Sequence, residues 1–360
     1  MDEVKTKAVA ILSFIATGLV KWKETIKVQA YPYPDELRIG LNKLAAFAIE
    51  RGTAYPGDIR EALHLFATPI NTWEPFIKEL LNEDEALIEN GVLTDTCYEY
   101  AMQTNDIEAE LTQKKILDVM EKCKEEEKPN DYVTFRRKII ENPYMKKRDI
   151  ISWSINKGNC CASEYLKDMY EEIPSSSIHN GKCFICSNCG WIVEWRNGMA
   201  FCDSHTCREV TNNFEKITPL EGNPEEYMRL KRGVLRFISR PGIHELLLEK
   251  KLKKLGIKVE MWPNYDAYDL RLTFPDYDNW AVDVKDWGNP YLLAKKAGKI
   301  PEDPQWSKAY FVIPQYRRKK CSDYREIFKK NYSGTENAGV EFEDGFMRKV
   351  KNKLIKEEVK

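Results

Sequence analysis

The chain has 360 residues, of which 42% are hydrophobic and 31% are charged. This length implies two or three domains with real cores, and the composition fits a soluble globular protein. The sequence contains no internal repeat and no low-complexity tract. The formal net charge is −1, but acidic residues outnumber basic ones through residue 227 and basic residues outnumber acidic ones from residue 228 on. An anionic partner therefore suits the C-terminal part of the chain.

Residues 1–155 are predicted to form a helical domain. The apolar run Ala8–Val20 has the length of a signal-peptide core, but Asp2 and Glu3 precede it and it is too short to cross a bilayer. We expect it to be a buried helix. Apolar residues recur at helical spacing in five further stretches, Glu36–Arg51, Asp58–Phe66, Trp73–Glu89, Asp106–Glu127 and Tyr132–Glu141. A scaffold, a partner-binding surface and a nucleic-acid clamp all remain open as roles for this half.

Residues 156–180 are predicted to be a linker, because Pro174-Ser-Ser-Ser177 is typical of one. The adjacent pair Cys160 and Cys161 lacks the spacing of a metal knuckle. We therefore expect these two cysteines to be structural.

Residues 181–210 contain cysteines at metal-ligand spacing. Cys186-x2-Cys189 is followed by a glycine that allows a knuckle turn, and Asn197-Gly198 predicts a hairpin that returns Cys202 towards the knuckle. Cys207 completes the pattern C-x2-C-x12-C-x4-C, which resembles a zinc ribbon.

Two alternatives to this ligand set remain open. Cys183 forms a competing C-x2-C with Cys186, and His205 could replace Cys207. Four cysteine ligands leave no open position, so the zinc is expected to be structural. A thiolate site is also typical of a reducing compartment, which predicts a cytoplasmic protein with no membrane partner.

The segment 211–240 is predicted to be a basic, helical connector. A helix should then begin near Pro241 and end before Gly256, since proline suits a first helical turn and glycine a left-handed stop. Short β-type runs, most of them alternating, and one fully apolar run predict strands in the rest of 241–332, and further helices are also predicted there. The strands are Ile257–Met261, Ala267–Phe274, Trp280–Trp287 and Ala309–Ile313, and the helices are Pro290–Ala297 and Asp323–Asn331. Residues 333–360 are expected to be a basic tail, with a helix at Gly345–Lys356.

Charged residues share one face of the second and third predicted strands. If Phe274 faces Trp280 across a short hairpin, Asp269 faces Lys285 and Asp283 lies on the same face. Glu245 is in line with the apolar stripe of the preceding helix and should reach the same point. Carboxylates that converge in this way favour Mg²⁺ or Mn²⁺, and a neighbouring lysine suits hydrolysis of a phosphodiester.

This arrangement resembles the PD-(D/E)XK nuclease superfamily. The resemblance implies that Asp269 is the first-motif acid, Asp283 the second acid, Lys285 the lysine and Glu245 the helical acid. Tyr268 stands where the superfamily often has proline, and Asp283 is Asp rather than Glu. The implied fold is multidomain α+β, with a helical N-terminal half, a zinc ribbon and a C-terminal αβββαβ restriction-endonuclease-like core.

The wider order of segments resembles the restriction-endonuclease-like proteins associated with prokaryotic Piwi (pPIWI-RE) modules. The motifs that carry this resemblance lie within about residues 183–320, including Val282-Asp283-Val284-Lys285. It implies a metal-dependent DNA nuclease in prokaryotic defence, beside a Piwi-like protein and a helicase. RNA as substrate remains open. A non-catalytic nucleic-acid-binding adaptor, or an inactive nuclease fold used as an assembly surface, is the alternative.

Overall fold

The chain is described here by a computed structural model, which covers residues 2–25, 33–76, 85–89, 91–104, 107–196, 198–204, 207, 217–319, 321–336 and 338–358. It divides into two compact units, Met1–Glu110 and Leu111–Lys360. The architecture is mixed α+β, with a helical N-terminal half and a C-terminal sheet, as predicted. Among the described helices, none combines the length and apolar character needed to cross a membrane.

The first unit consists mainly of helices. The described elements are α1 (Asp2–Thr25), α2 (Asp35–Arg51), α3 (Ile59–Phe66), β1 (Ile88–Glu89), β2 (Val92–Leu93) and α4 (Asp95–Ala101). The predicted helix Ala8–Val20 lies within α1 and is largely buried, as expected. The predicted helix Trp73–Glu89 is wrong at its described C-terminal end, because Gly91 has φ 71° and turns Ile88–Glu89 into a hairpin with β2. Residues 77–84 of that prediction lie outside the described residues.

The second unit begins with helices that pack beside a small antiparallel sheet. The helices are α5 (Ile107–Glu125), which starts before the division between the units, α6 (Pro129–Glu141) and α7 (Lys147–Ile155). The sheet has the order β3 (Tyr144–Lys146), β9 (Tyr227–Leu230), β4 (Tyr170–Glu172). The predicted helical domain, 1–155, thus extends past the division, and its last helices belong to the second unit.

Two predicted segments differ in the structure. The expected linker, 156–180, is partly core, because Leu166 and Met169 are fully buried and Tyr170 begins strand β4. The expected helical connector, 211–240, contains strands β8 (Ile217–Pro219) and β9 in its described part, and its α-helical part begins at Arg232. The strands form because each finds a partner, β5 (Phe184–Cys186) for β8, and β3 and β4 for β9.

The C-terminal sheet has five strands in the order β10-β11-β12-β13-β14. Its first three strands are antiparallel and its last three are parallel. The strands are β10 (Lys258–Met261), β11 (Leu270–Thr273), β12 (Asn279–Val284), β13 (Lys308–Ile313) and β14 (Gly339–Phe342), and the helices are α8 (Arg240–Lys253), α9 (Pro290–Lys296), α10 (Tyr324–Asn331) and α11 (Glu343–Glu358). The elements from α8 to β13 follow the predicted order α-β-β-β-α-β.

Alternation along the strands explains why this sheet has helices on both faces. Leu270 and Val282 belong to a core that also contains residues of α6 and α8, whereas Ala281 and Phe311 belong to a second core with residues of α9 and α10. The expected basic tail, 333–360, is instead part of the domain. It contributes strand β14, and Phe346 is fully buried in the first of these cores.

Candidate functional site

The register of the β11–β12 hairpin differs from the predicted one. Leu270 pairs with Val282 and Thr273 with Asn279, because Phe274 belongs to the turn, where its N–H donates to the Asp278 carbonyl at 2.9 Å. The prediction that Asp269 faces Lys285 is therefore wrong. Continued by one residue, the register sets Asp269 opposite Asp283. The shift is two residues along β12, so the predicted face of each side chain is unchanged.

Asp269 lies at the inner end of the site. Its side chain is 8% exposed, and its Oδ2 accepts a hydrogen bond from the Val284 backbone N–H at 2.7 Å. Burial raises the pKa of the Asp269 carboxyl well above its ordinary value, and the carboxylates of Glu245 and Asp283 raise it further. A cation placed beside this carboxyl group would lower its pKa and stabilise its ionised form.

Asp283 and Lys285 lie at the outer end of the site. The Lys285 Nζ donates to Asp283 Oδ1 at 2.6 Å, and the two side chains are 30% and 18% exposed. Burial acts to lower the pKa of Lys285, but Asp283 and Asp269 outweigh it and raise the pKa above its ordinary value. Lys285 is therefore a protonated donor that solvent can reach.

Glu245 comes from α8, as predicted, but its oxygens already have partners. Arg136 of α6 donates to both Oε1 and Oε2 at 3.2 Å, and the Trp262 indole N–H donates to Oε2 at 2.5 Å. Burial raises the pKa of Glu245, and the Arg136 guanidinium opposes this rise. The hydrogen bonds fix this carboxylate in place.

Arg136 is the main site residue that the sequence did not predict. Its guanidinium also pairs with Asp266, lies 3.9 Å from Asp269 Oδ1 and is 4.7 Å from the Trp262 ring centroid. Nothing in the α6 sequence marks this arginine, since amphipathic helices commonly carry arginines. A weak signal was its position on the same face of α6 as Tyr132 and Ile140, which are buried.

The chain between β10 and β11 turns in a left-handed conformation. Trp262, Asn264, Tyr265 and Asp266 have φ values of 46°, 47°, 56° and 74°, a region that non-glycine residues rarely adopt. The turn directs the Asp266 carboxylate at Arg136, and the Tyr132 hydroxyl donates to the same carboxylate at 3.0 Å. Local strain of this kind persists where the surrounding contacts hold it.

Asp286 directly follows Lys285 and is held by contacts with the segment after β13. Arg317 Nε donates to its Oδ1 at 2.8 Å, and the Tyr316 hydroxyl also contacts that oxygen. Burial acts to raise the pKa of Asp286, but Arg317, His244 and Tyr316 together hold the pKa below its ordinary value. Among the basic residues that follow β13, Arg317 is therefore a buried structural residue, whereas Arg318 and Lys319 are exposed.

When all of its acids are ionised, this cluster has more negative than positive charge. Its acids are Glu245, Asp266, Asp269 and Asp283, and its bases are Arg136 and Lys285. Fully ionised, these groups carry two negative charges in excess. A divalent cation with oxygen ligands would neutralise that excess, and carboxylates are the ligands such cations prefer. The residues present therefore fit Mg²⁺ or Mn²⁺.

The structure brings together the four cysteines of the predicted zinc pattern. The sulfur atoms of Cys186, Cys189, Cys202 and Cys207 all lie within 4.8 Å of one another, and all four residues are buried. Gly190 has φ 73° and donates its N–H to the Cys186 carbonyl at 2.8 Å, which closes the knuckle. These thiols fit one tetrahedral zinc ion.

The predicted hairpin returns Cys202 to the knuckle. Strands β6 (Glu194–Arg196) and β7 (Met199–Phe201) pair antiparallel around Gly198, and Cys189 Sγ lies 3.6 Å from Cys202 Sγ. The alternative ligand Cys183 lies in a separate apolar cluster with Ile192 and Leu220. The other alternative, His205, lies outside the described residues.

Two stretches of the chain match family models. Residues 242–358 match "REase associating with pPIWI_RE", and residues 11–146 match "pPIWI_RE three-gene island domain Y". Comparison with curated proteins and with solved structures gave no significant match. The resemblance to pPIWI-RE proteins is thereby confirmed. Residues 11–146 and 242–358 thus match two parts of the pPIWI-RE module, its domain Y and its restriction-endonuclease-like protein.

Proposed function

We propose that this protein is a metal-dependent nuclease that hydrolyses DNA phosphodiester bonds in prokaryotic defence. The observation that carries the proposal is the convergence of Asp269, Asp283 and Lys285 within the domain that matches a restriction endonuclease. The match to the pPIWI-RE module supports the defence role and, with it, a Piwi-like protein and a helicase as partners.

Asp269 and Asp283 are the groups that would hold Mg²⁺ or Mn²⁺. When bound, the ion supplies Lewis acidity that offsets the charge developing on the phosphoryl group. Lys285 remains protonated at neutral pH and can donate to the attacking water or to a phosphate oxygen. Glu245 is held by Arg136 and Trp262, which supports a role in orienting the site rather than in binding the ion.

The basic residues after β13 are well placed to contact a DNA strand that enters the site. Strands β12 and β13 are parallel, with Asp283 paired to Phe311, so their carboxyl ends lie at the same edge of the sheet. The exposed Arg318 and Lys319 follow β13 at that edge. Replacing both with serine should weaken DNA binding and reduce the slope of log K against log salt by up to about 2, since each phosphate contact contributes roughly 0.9.

The test is cleavage of plasmid and linear DNA by the purified protein in Mg²⁺ or Mn²⁺, with and without EDTA. Asp283→Ala should abolish cleavage but leave folding and DNA affinity near those of the wild type, because removal of an acid does not weaken contact with phosphate. Asp276→Ala is the matched control, since this exposed acid lies in the turn of the same hairpin. Metal-dependent cutting that persists in Asp283→Ala would refute the assignment.

The same experiment tests the alternative function. A wild-type protein that binds DNA in a salt-dependent way but cuts none of the substrates with either metal would be the non-catalytic adaptor. RNA substrates in parallel reactions decide the nucleic-acid class.

A further inference from the structure

A second group of buried cysteines lies apart from the predicted zinc pattern. Cys123 comes from the end of α5, and Cys160 and Cys161 from the turn after α7. Their three sulfur atoms lie within 4.8 Å of one another, and the residues are 0%, 1% and 6% exposed. The prediction that Cys160 and Cys161 are only structural was based on sequence spacing. Cys123 is far away along the chain, so spacing could not place it beside them.

The geometry of this trio matches that of the four-cysteine cluster. Cys161 Sγ lies 3.6 Å from Cys123 Sγ, the same separation as between Cys189 and Cys202. Thiolates about 2.3 Å from a tetrahedral zinc ion are roughly 3.8 Å apart. The sulfur atoms could therefore meet one ion with small side-chain adjustments.

We propose that Cys123, Cys160 and Cys161 form a second metal site, which takes a thiophilic divalent cation of the zinc class. Three thiolates are soft ligands that select such ions over Mg²⁺. Protein residues fill three of four tetrahedral positions, so the fourth is left for water or another donor. The ion in this site should consequently exchange faster than the ion in the closed four-cysteine site.

Asp131 of α6 brings oxygen atoms into contact with the trio. Its Oδ2 accepts a hydrogen bond from the Cys161 backbone N–H at 2.7 Å, and its carbonyl oxygen is 3.3 Å from Cys160 Sγ. These contacts tie the cysteine turn to the first turn of α6.

The trio also adjoins the elements that support the candidate active site. The Tyr265 hydroxyl donates to the Cys123 carbonyl at 3.3 Å, and Tyr265 precedes Asp266 in the left-handed turn. Helix α6 carries Asp131 at the cysteine turn and Arg136 at Glu245. A metal ion in the trio would therefore brace both segments that place Arg136 and Asp266.

Metal content per chain tests the proposal without reference to cleavage. Protein reconstituted with excess Zn²⁺ and freed of unbound metal should hold two ions by elemental analysis. The variants Cys123→Ser and Cys161→Ser should each lose one ion, while Cys97→Ser, a buried cysteine outside both clusters, should keep two. Cys186→Ser should lose the other ion, which separates the two sites.

Wild-type protein provides a measurement that does not depend on whether a variant folds. Release of zinc to a chelator should show two phases of equal size, a faster one from the open trio and a slower one from the closed cluster. With Co²⁺ in place of zinc, the thiolate charge-transfer absorption should correspond to seven sulfur ligands rather than four. A single phase with one ion per chain, unchanged in Cys123→Ser and Cys161→Ser, would overturn the proposal. A Cys123–Cys161 disulfide in protein that takes up no second ion would overturn it as well.

Discussion

Replacement of Arg136 with alanine should strongly destabilise the second unit. The Arg136 side chain is 11% exposed, and its guanidinium is the partner of two buried or half-buried acids, Glu245 and Asp266. Its removal leaves Glu245 with the Trp262 N–H but no cation in contact. Loss of one partner of a buried ion pair costs about 3–5 kcal/mol.

This loss can be measured by thermal or urea unfolding. About 3–5 kcal/mol corresponds to a fall in Tm of roughly 6–20 °C for a unit of this size. Arg137→Ala is the matched control on the same helix. Arg137 is 29% exposed, and its partner Glu249 also pairs with Lys253 at 2.9 Å, so its loss should cost about 1 kcal/mol or less.

A double-mutant cycle separates the ion pair from other effects of the substitution. Glu245→Gln removes the charge that Arg136 neutralises, so the double variant should be more stable than the two single effects predict, by about 0.5–3 kcal/mol. Arg136→Lys keeps the charge but loses the two-pronged contact, and should lie between wild type and Arg136→Ala. If Arg136→Ala unfolds within about 1 kcal/mol of Arg137→Ala, the site is not organised around this arginine.

Two further predictions concern the cysteine-rich part of the second unit. Burial acts to raise the pKa of Glu194, but Arg232 and Arg229 together outweigh it and lower the pKa from 4.5 to about 2. The stability that the ionised Glu194 contributes is complete above about pH 4.5 and is lost as the pH falls towards 2. Acid unfolding of wild type should therefore lose ~3 kcal/mol that Glu194→Gln does not lose. Gly190→Ala should destabilise the knuckle more than Gly198→Ala in thermal unfolding. Both glycines have positive φ, but only at Gly190 would a Cβ clash, 2.9 Å from Pro143 Cγ; equal effects would show that the contact is unimportant.

The sequence predicted the order of elements from α8 to β13 because their patterns are local, whereas strand β14 was missed. Alternation in β11 and β12 fixed which face each side chain takes, and that survived the error in register. The register itself depends on the turn, where Phe274 bonds with Asp278 instead of pairing with Trp280. No short-range pattern distinguishes these two turns, since both residues are aromatic and both are buried.

The sequence could not predict which residues from distant parts of the chain contact the site. The predicted site residues lie within 245–285 and belong to one family pattern, whereas Arg136 is 109 residues from Glu245. The cysteines show the same contrast. The C-x2-C spacing predicts the four-cysteine cluster. Cys123 and Cys161, in contrast, are 38 residues apart and do not form such a motif. Only folding of α5 against the turn after α7 reveals the trio.

The contacts of Arg136 also bear on how the two matched families relate. The domain Y match, 11–146, ends after α6, and the restriction-endonuclease-like match begins at residue 242. Arg136 therefore belongs to the first match by sequence and to the second by contact. Because Glu245 and Asp269 are buried acids with raised pKa values, the endonuclease-like domain without α6 would hold them beside Lys285 alone. The boundary between the two matched regions in sequence is thus not a boundary in structure, because α6 of the first region contributes Arg136 to the candidate active site of the second.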